Sequence, residues 1–144
     1  HGVPAVQIGE EERHRLFGYV EQSFHMVPGT VRDQITLFDE RITESQIRKA
    51  AELTGLQDAI EGLEHGYDTI CTPELFSQGQ WQLLSIARAT AAGPSLLLLD
   101  EITANLDADT EKIVLQALNR AAQNRTVISI SHRTSAKMGK IIAL

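Results

Sequence analysis

With 144 residues, 42% of them hydrophobic and 22% charged, the chain is long enough for one ordinary domain with a real core, and it is neither disordered nor fibrous. A net charge of −6 provides no electrostatic footprint for nucleic acid or an anionic membrane surface. The single cysteine, Cys71, rules out a disulfide framework and a cysteine-rich metal site and points to a reducing, intracellular compartment.

His1 to Arg15 mixes Gly, Pro and charges and reads as an irregular or edge segment entering a charged helical turn. There is no initiator Met, and the chain stops on the apolar run Ile141 to Leu144, so both ends are expected to be cut. Phe17 to Val20 is a predicted strand that runs into Glu21-Gln22 and then a Pro28-Gly29 turn. From Thr43 the pattern is helical: Thr43 and Gln46 are spaced as a capping box, Ile47, Ala50 and Ala51 share a face, and Gly55 is the stop. A short helix is expected over Asp58 to Leu63, followed by a loop from Glu64 to Leu75. Ser77 to Gln80 then opens a long amphipathic helix in which Leu83, Ile86, Ala87, Thr90 and Ala91 recur at helical spacing until Gly93-Pro94.

Leu96 to Leu99, bounded by Pro94 and by Asp100-Glu101, predicts a strand buried on both faces, as in a parallel sheet covered by helices. Asp107 caps the next helix, with Ile113, Ala117, Leu118 and Ala121 facing inward. The β-branched strand Thr126 to Ile130 ends in Ser131-His132, and a last strand is expected around Lys140 to Leu144. Strand, helix, strand in the second half implies a parallel sheet with right-handed crossovers, and the mostly helical middle third forms a separate lobe. There is no run of about 18 apolar residues and no internal repeat.

Ligands of open α/β sheets bind at the carboxyl ends of the strands. There an aspartate such as Asp100 can hold Mg²⁺ while a neighbouring glutamate, Glu101, orients or deprotonates a water. That chemistry is nucleotide hydrolysis; a helix cap or solvated turn is the plain alternative for the acidic pair.

The order Gln22, then Ser77-x-Gly79-Gln80, then Leu96 to Asp100-Glu101, then Leu106-Asp107, then His132 resembles the nucleotide-binding domain of an ATP-binding cassette (ABC) transporter, from its Q-loop to just past its H-loop. The resemblance covers essentially the whole chain. It implies an α/β fold in which 1–29 and 89–144 form part of a P-loop NTPase (RecA-like) core, and 30–88 form an inserted α-helical subdomain carrying the signature motif. Gln22 offers a neutral amide oxygen to Mg²⁺ or to the attacking water, and in the family it links the site to the membrane domain. Ser77, Gly79 and Gln80 stand at a helix N-terminus whose free N–H groups can hold a γ-phosphate, with Gly79 allowing close approach. By resemblance they act across a head-to-tail dimer on ATP held by the partner, although a plain Ser cap is the alternative. Asp100 organises Mg²⁺ through water, Glu101 polarises the attacking water, and His132 donates to the γ-phosphate and holds that base. Asp107 serves as a helix cap and, by resemblance, as a dimer-interface residue of the D-loop.

The pattern also departs from the family. Phe76 replaces the leucine and Gln78 the first glycine of Leu-Ser-Gly-Gly-Gln, and Trp81 and Leu83 stand where basic residues are usual. The loop Thr69 to Glu74 is short and lacks glycines, whereas Pro28 to Ile35 resembles the segment of exporter-type members where a membrane domain docks. No G-x-x-x-x-G-K-[S/T] occurs, so the polypeptide alone is expected to bind ATP poorly and not to hydrolyse it, although the parent protein would. The core is also expected to leave a strand edge open. The implied setting is the cytoplasmic face of the cell membrane, with a second nucleotide-binding domain and a transmembrane domain as partners and no nucleic acid. Two further readings are a degenerate, non-hydrolysing ABC subunit and a soluble ABC-type ATPase of DNA maintenance. The latter's coiled-coil members need a longer insertion than the roughly 55 residues between Gln22 and Ser77.

Overall fold

Reciprocal side-chain caps set where three of the described helices begin. The computed structural model describes residues 17–21, 24–100, 107–123, 125–130 and 140–143. Helix α1 (Val31–Thr36) starts at Thr30, whose hydroxyl accepts from the Asp33 N–H at 3.2 Å while the Asp33 carboxylate accepts from the Thr30 N–H at 2.9 Å. The sequence pattern carried this Thr-x-x-Asp signal, but the segment is too short to show helical periodicity, and no helix was expected there. Helix α2 (Glu44–Thr54) has the predicted Thr43/Gln46 box, with bonds of 3.2 and 2.8 Å, and ends at Gly55 with φ 81°. Its Ile47, Ala50 and Ala51 are buried as expected. Helix α3 (Gln57–Glu61) is shorter than the expected 58–63, because Gly62 already caps it. The following loop contains a 3₁₀ turn, Gly66–Asp68. It is pinned to the start of α1 by Val31 N–H to Thr69 O, 3.0 Å, and Cys71 N–H to Gly29 O, 2.9 Å.

Helix α4 (Gln78–Thr90) is the central post, in contact with α1, α2 and the sheet. Strands β1 (Phe17–Val20), β2 (Leu96–Asp100) and β3 (Thr126–Ile130) form a parallel sheet in that order, with Phe17 opposite Leu96 and Leu96 opposite Thr126. Strand β4 (Lys140–Ala143) pairs antiparallel with β3, so that edge of β3 is occupied rather than open. Nine residues join β3 to β4, fewer than the dozen or more that a parallel crossover needs.

The sheet has unequal faces. Gly18, Val20, Leu97 and Val127 point to the helices and are buried, and α4 lies so close that a Cβ on Gly18 would fall 2.4 Å from the Ala89 carbonyl oxygen. Phe17 and Tyr19 point the other way and are 38% and 46% exposed. The leucine strand is therefore not buried on both faces as expected. Leu97 is fully buried, whereas Leu96 and Leu98, on the opposite face, are half-covered because the described helices pack on one side only. Leu99, on the helix side near the strand end, is partly covered and packs against the core. Helix α5 (Ala108–Ala121) buries Val114, Ala117 and Ala121 with Leu118 partly covered, while Ile113 is 50% exposed, contrary to expectation. The stripe facing α2 and α4 runs 114, 117, 121, and Ile113 falls at its border, about 70° from the stripe's centre.

Candidate nucleotide site

Parallel pairing brings the ends of β1, β2 and β3 to one edge of the sheet, with Asp100 opposite Ile130. Asp100 ends the middle strand of these three, as the leucine run predicts. Its Oδ2 accepts a hydrogen bond from the Tyr19 hydroxyl at 3.0 Å, and Tyr19 shares the less covered face because β1 and β2 are in register. The Asp100 carboxylate, by accepting that bond, holds the Tyr19 phenol above its ordinary range. Tyr19 was not foreseen: its alternation within β1 is readable, but its partner depends on register. Gln22, Glu101 and His132, two positions beyond β1, one beyond β2 and two beyond β3, lie outside the described residues.

Among the described residues no group of three or more His, Cys, Asp or Glu gathers as a metal cage. A hydrated Mg²⁺ that takes one or two carboxylates together with substrate phosphates does not require one, so the strand-end carboxylate of Asp100 fits that ion.

The Ser77 to Gln80 turn opens α4 as predicted. The Ser77 hydroxyl accepts from the Gln80 N–H at 3.2 Å, and the Gln80 side-chain oxygen accepts from the Ser77 N–H at 2.9 Å. The Gln80 amide oxygen is thus engaged in the cap, while the first-turn N–H groups of Gln78 and Gly79 have no partner within the helix. Gly79 has a reason for its missing side chain besides ligand approach: a Cβ there would sit 2.4 Å from the Thr110 methyl. Thr110 belongs to the first turn of α5, whose cap Asp107 accepts its N–H at 2.7 Å. The N-terminal ends of α4 and α5 therefore meet at Gly79 and Thr110. The Thr110 N–H and then its hydroxyl hold the exposed Asp107 carboxyl below its ordinary range.

Beside this turn, Trp81 stacks on Phe24 at 5.0 Å and meets Phe76 edge to face at 5.1 Å. With Met26 and Gln78 these rings line a groove of about 440 Å³. Arg88 anchors the chain that follows β1. It donates to the Gln34 carbonyl at 2.6 Å and to the His25 carbonyl at 2.9 Å, and lies over the Phe24 ring at 4.0 Å. Burial lowers its guanidinium to about 10. Gln34, itself buried, clamps Val27 from both sides, accepting its N–H at 2.9 Å and donating to its carbonyl at 2.7 Å. Only the isolated cation on an otherwise apolar helical face marks Arg88 in the sequence. Cys71 is a buried core residue, and burial raises its thiol to about 11.

A family described as ABC transporter matches residues 2–104. ABC transporter B family member 1 of Dictyostelium discoideum is 43% identical over 122 residues, covering 83% of this chain and 13% of its own length. The mycobactin import ATP-binding/permease protein IrtA of Mycolicibacterium smegmatis is 41% identical over 124 residues, covering 85% of this chain and 14% of its own. Among solved structures, a bacterial Atm1-family ABC exporter with ATP bound matches with a TM-score of 0.68 at 32% identity, over 86% of this chain and 22% of that one. The chain therefore spans well under a third of the length of these relatives.

Proposed function

Because this chain belongs to the ABC transporter family, we propose that it serves in the ATP-binding and hydrolysing domain of a membrane transporter, with hydrolysis coupled to movement of a substrate across the membrane. The observation that carries the proposal is Asp100, set at the carboxyl end of the middle of three parallel strands, while in the sequence Gln22 and His132 each follow a neighbouring strand by two positions. In this reading 1–29 and 89–144 belong to the nucleotide-binding core and 30–88 to the helical subdomain, with α4 crossing from one to the other.

Asp100, through water, and the Gln22 amide oxygen would hold Mg²⁺, which would supply neutralisation of the phosphate charge. Glu101 accepts the proton of the attacking water, and His132 donates to the γ-phosphate and holds Glu101 in place. Ser77, Gly79 and Gln80 present the α4 N-terminus to ATP bound by a second nucleotide-binding domain, and Asp107 faces that domain across the dimer. The Ser77/Gln80 cap, despite Phe76 and Gln78, leaves the Gln78 and Gly79 N–H groups without a partner inside the helix, as a phosphate site at the α4 N-terminus requires. In this reading the groove beside Phe24 and Met26 receives a segment of the membrane domain, and the chain works at the cytoplasmic face of the membrane. No helix among the described residues is long and apolar enough to cross a membrane. The exporter-type architecture follows Thr30 to Ile35 and the solved exporter.

The test is Glu101→Gln in the full protein that carries this chain. ATP binding persists while turnover falls about 10²- to 10⁴-fold, the range for a positioned base. Unchanged turnover removes Glu101 from the chemistry, and a wild-type protein that binds no ATP removes the proposal.

A further inference from the structure

Two departures of the signature segment from the family pattern, Phe76 and Trp81, touch each other: their rings meet at 89° with centroids 5.1 Å apart. Trp81 also stacks on Phe24 at 5.0 Å with an interplanar angle of 29°, and its indole N–H donates to the Pro73 carbonyl at 3.3 Å. One aromatic body thus joins the residue before Ser77, the residue after Gln80 and a residue two positions beyond Gln22. A lysine or arginine at 81 has no ring face for Phe24 and no ring plane for an edge contact from 76, and a leucine at 76 has no ring edge to offer. The two departures compensate each other.

We propose that Trp81 is a positioning residue that locks the Ser77 to Gln80 turn to the segment following Gln22, so that the two shift as one unit. Half-buried on the wall of an open groove, Trp81 is placed to transmit displacement between them. The lock holds without nucleotide; its effect on turnover rests on the ATP reading above.

Hydrogen exchange on the full protein, without nucleotide, tests it in Trp81→Lys, Trp81→Phe and Phe24→Ala. The reporting N–H groups are Val27, bonded to the Gln34 side chain at 2.9 Å, and Gln80 and Trp81, bonded to Ser77 at 3.2 and 2.9 Å. Trp81→Lys and Phe24→Ala each raise exchange at both places together, by roughly threefold to tenfold, with α2 amides unchanged, and Trp81→Phe restores protection. Loosening confined to the mutated segment, or spread equally to α2, overturns the lock. In the same protein Trp81→Lys raises KM for ATP several-fold more than it lowers kcat, and Trp81→Phe does not. An unchanged KM in a variant whose two segments have both loosened overturns the positioning role. A wild-type protein that binds no ATP would sink the functional reading and leave the exchange result standing.

Discussion

Asp107 is a residue whose physics is local enough to predict alone. Its carboxylate accepts the Thr110 N–H at 2.7 Å, and its folded pKa is therefore depressed below the unfolded value of about 3.9. The stabilisation it contributes is complete above that unfolded value and is lost as pH falls through it toward the folded one. Urea midpoints of wild type and Asp107→Asn, compared at pH 7 and near pH 3, should converge as the pH drops, since asparagine caps without titrating; a constant gap would exclude the linkage. Asp107 was legible as a cap because Asp before an amphipathic run has one mechanism. Tyr19 was not, because a hydroxyl bonded to an aspartate 81 positions away follows from register alone.

Helices α4 and α5 show how an element's local rules and its packing meet in one atom position. The Ser77 cap sets where α4 starts, and the Asp107 cap sets where α5 starts; what neither specifies is that their first turns touch at Gly79 and Thr110. Gly79→Ala places a methyl 2.4 Å from Thr110 Cγ2, so one first turn must shift, at about 1–3 kcal/mol for an overpacked contact. Chemical denaturation should show that loss. Adding Thr110→Ser, which deletes the offending methyl, should recover most of it. If the double variant is as unstable as the sum of its parts, the contact is not the cause. The same packing explains Ile113. Helical spacing admits several adjacent apolar stripes on α5, and the stripe used is the one that α2 and α4 cover.

For the whole molecule, the parallel β1, β2 and β3 with α4 against one face, and α5 packed on α4 and α2, belong to a chain that matches the solved ABC exporter, and β4 closes the far edge in the antiparallel sense. The 144 residues contain no glycine-rich phosphate loop with its lysine, so backbone cradle and cation for the β- and γ-phosphates are not encoded in this stretch. Titrating a fluorescent ATP analogue with Mg²⁺ into this chain alone and into the full protein should give binding at least a hundredfold weaker for the chain. Equal affinities would contradict the role assigned to that loop.

By itself the sequence determined the starts of α2, α4 and α5, the strand that ends in Asp100 and the order of the family motifs. Caps, periodicity and short apolar runs act between residues a few positions apart. Only the tertiary structure decided that Tyr19 reaches Asp100, that Gly79 makes room for Thr110, that Arg88 and Trp81 hold the chain after β1, and that one face of the leucine strand is half-covered. Those are contacts between elements distant in sequence. They depend on register, on which helical stripe is covered and on how closely backbones approach, and a linear pattern carries none of the three.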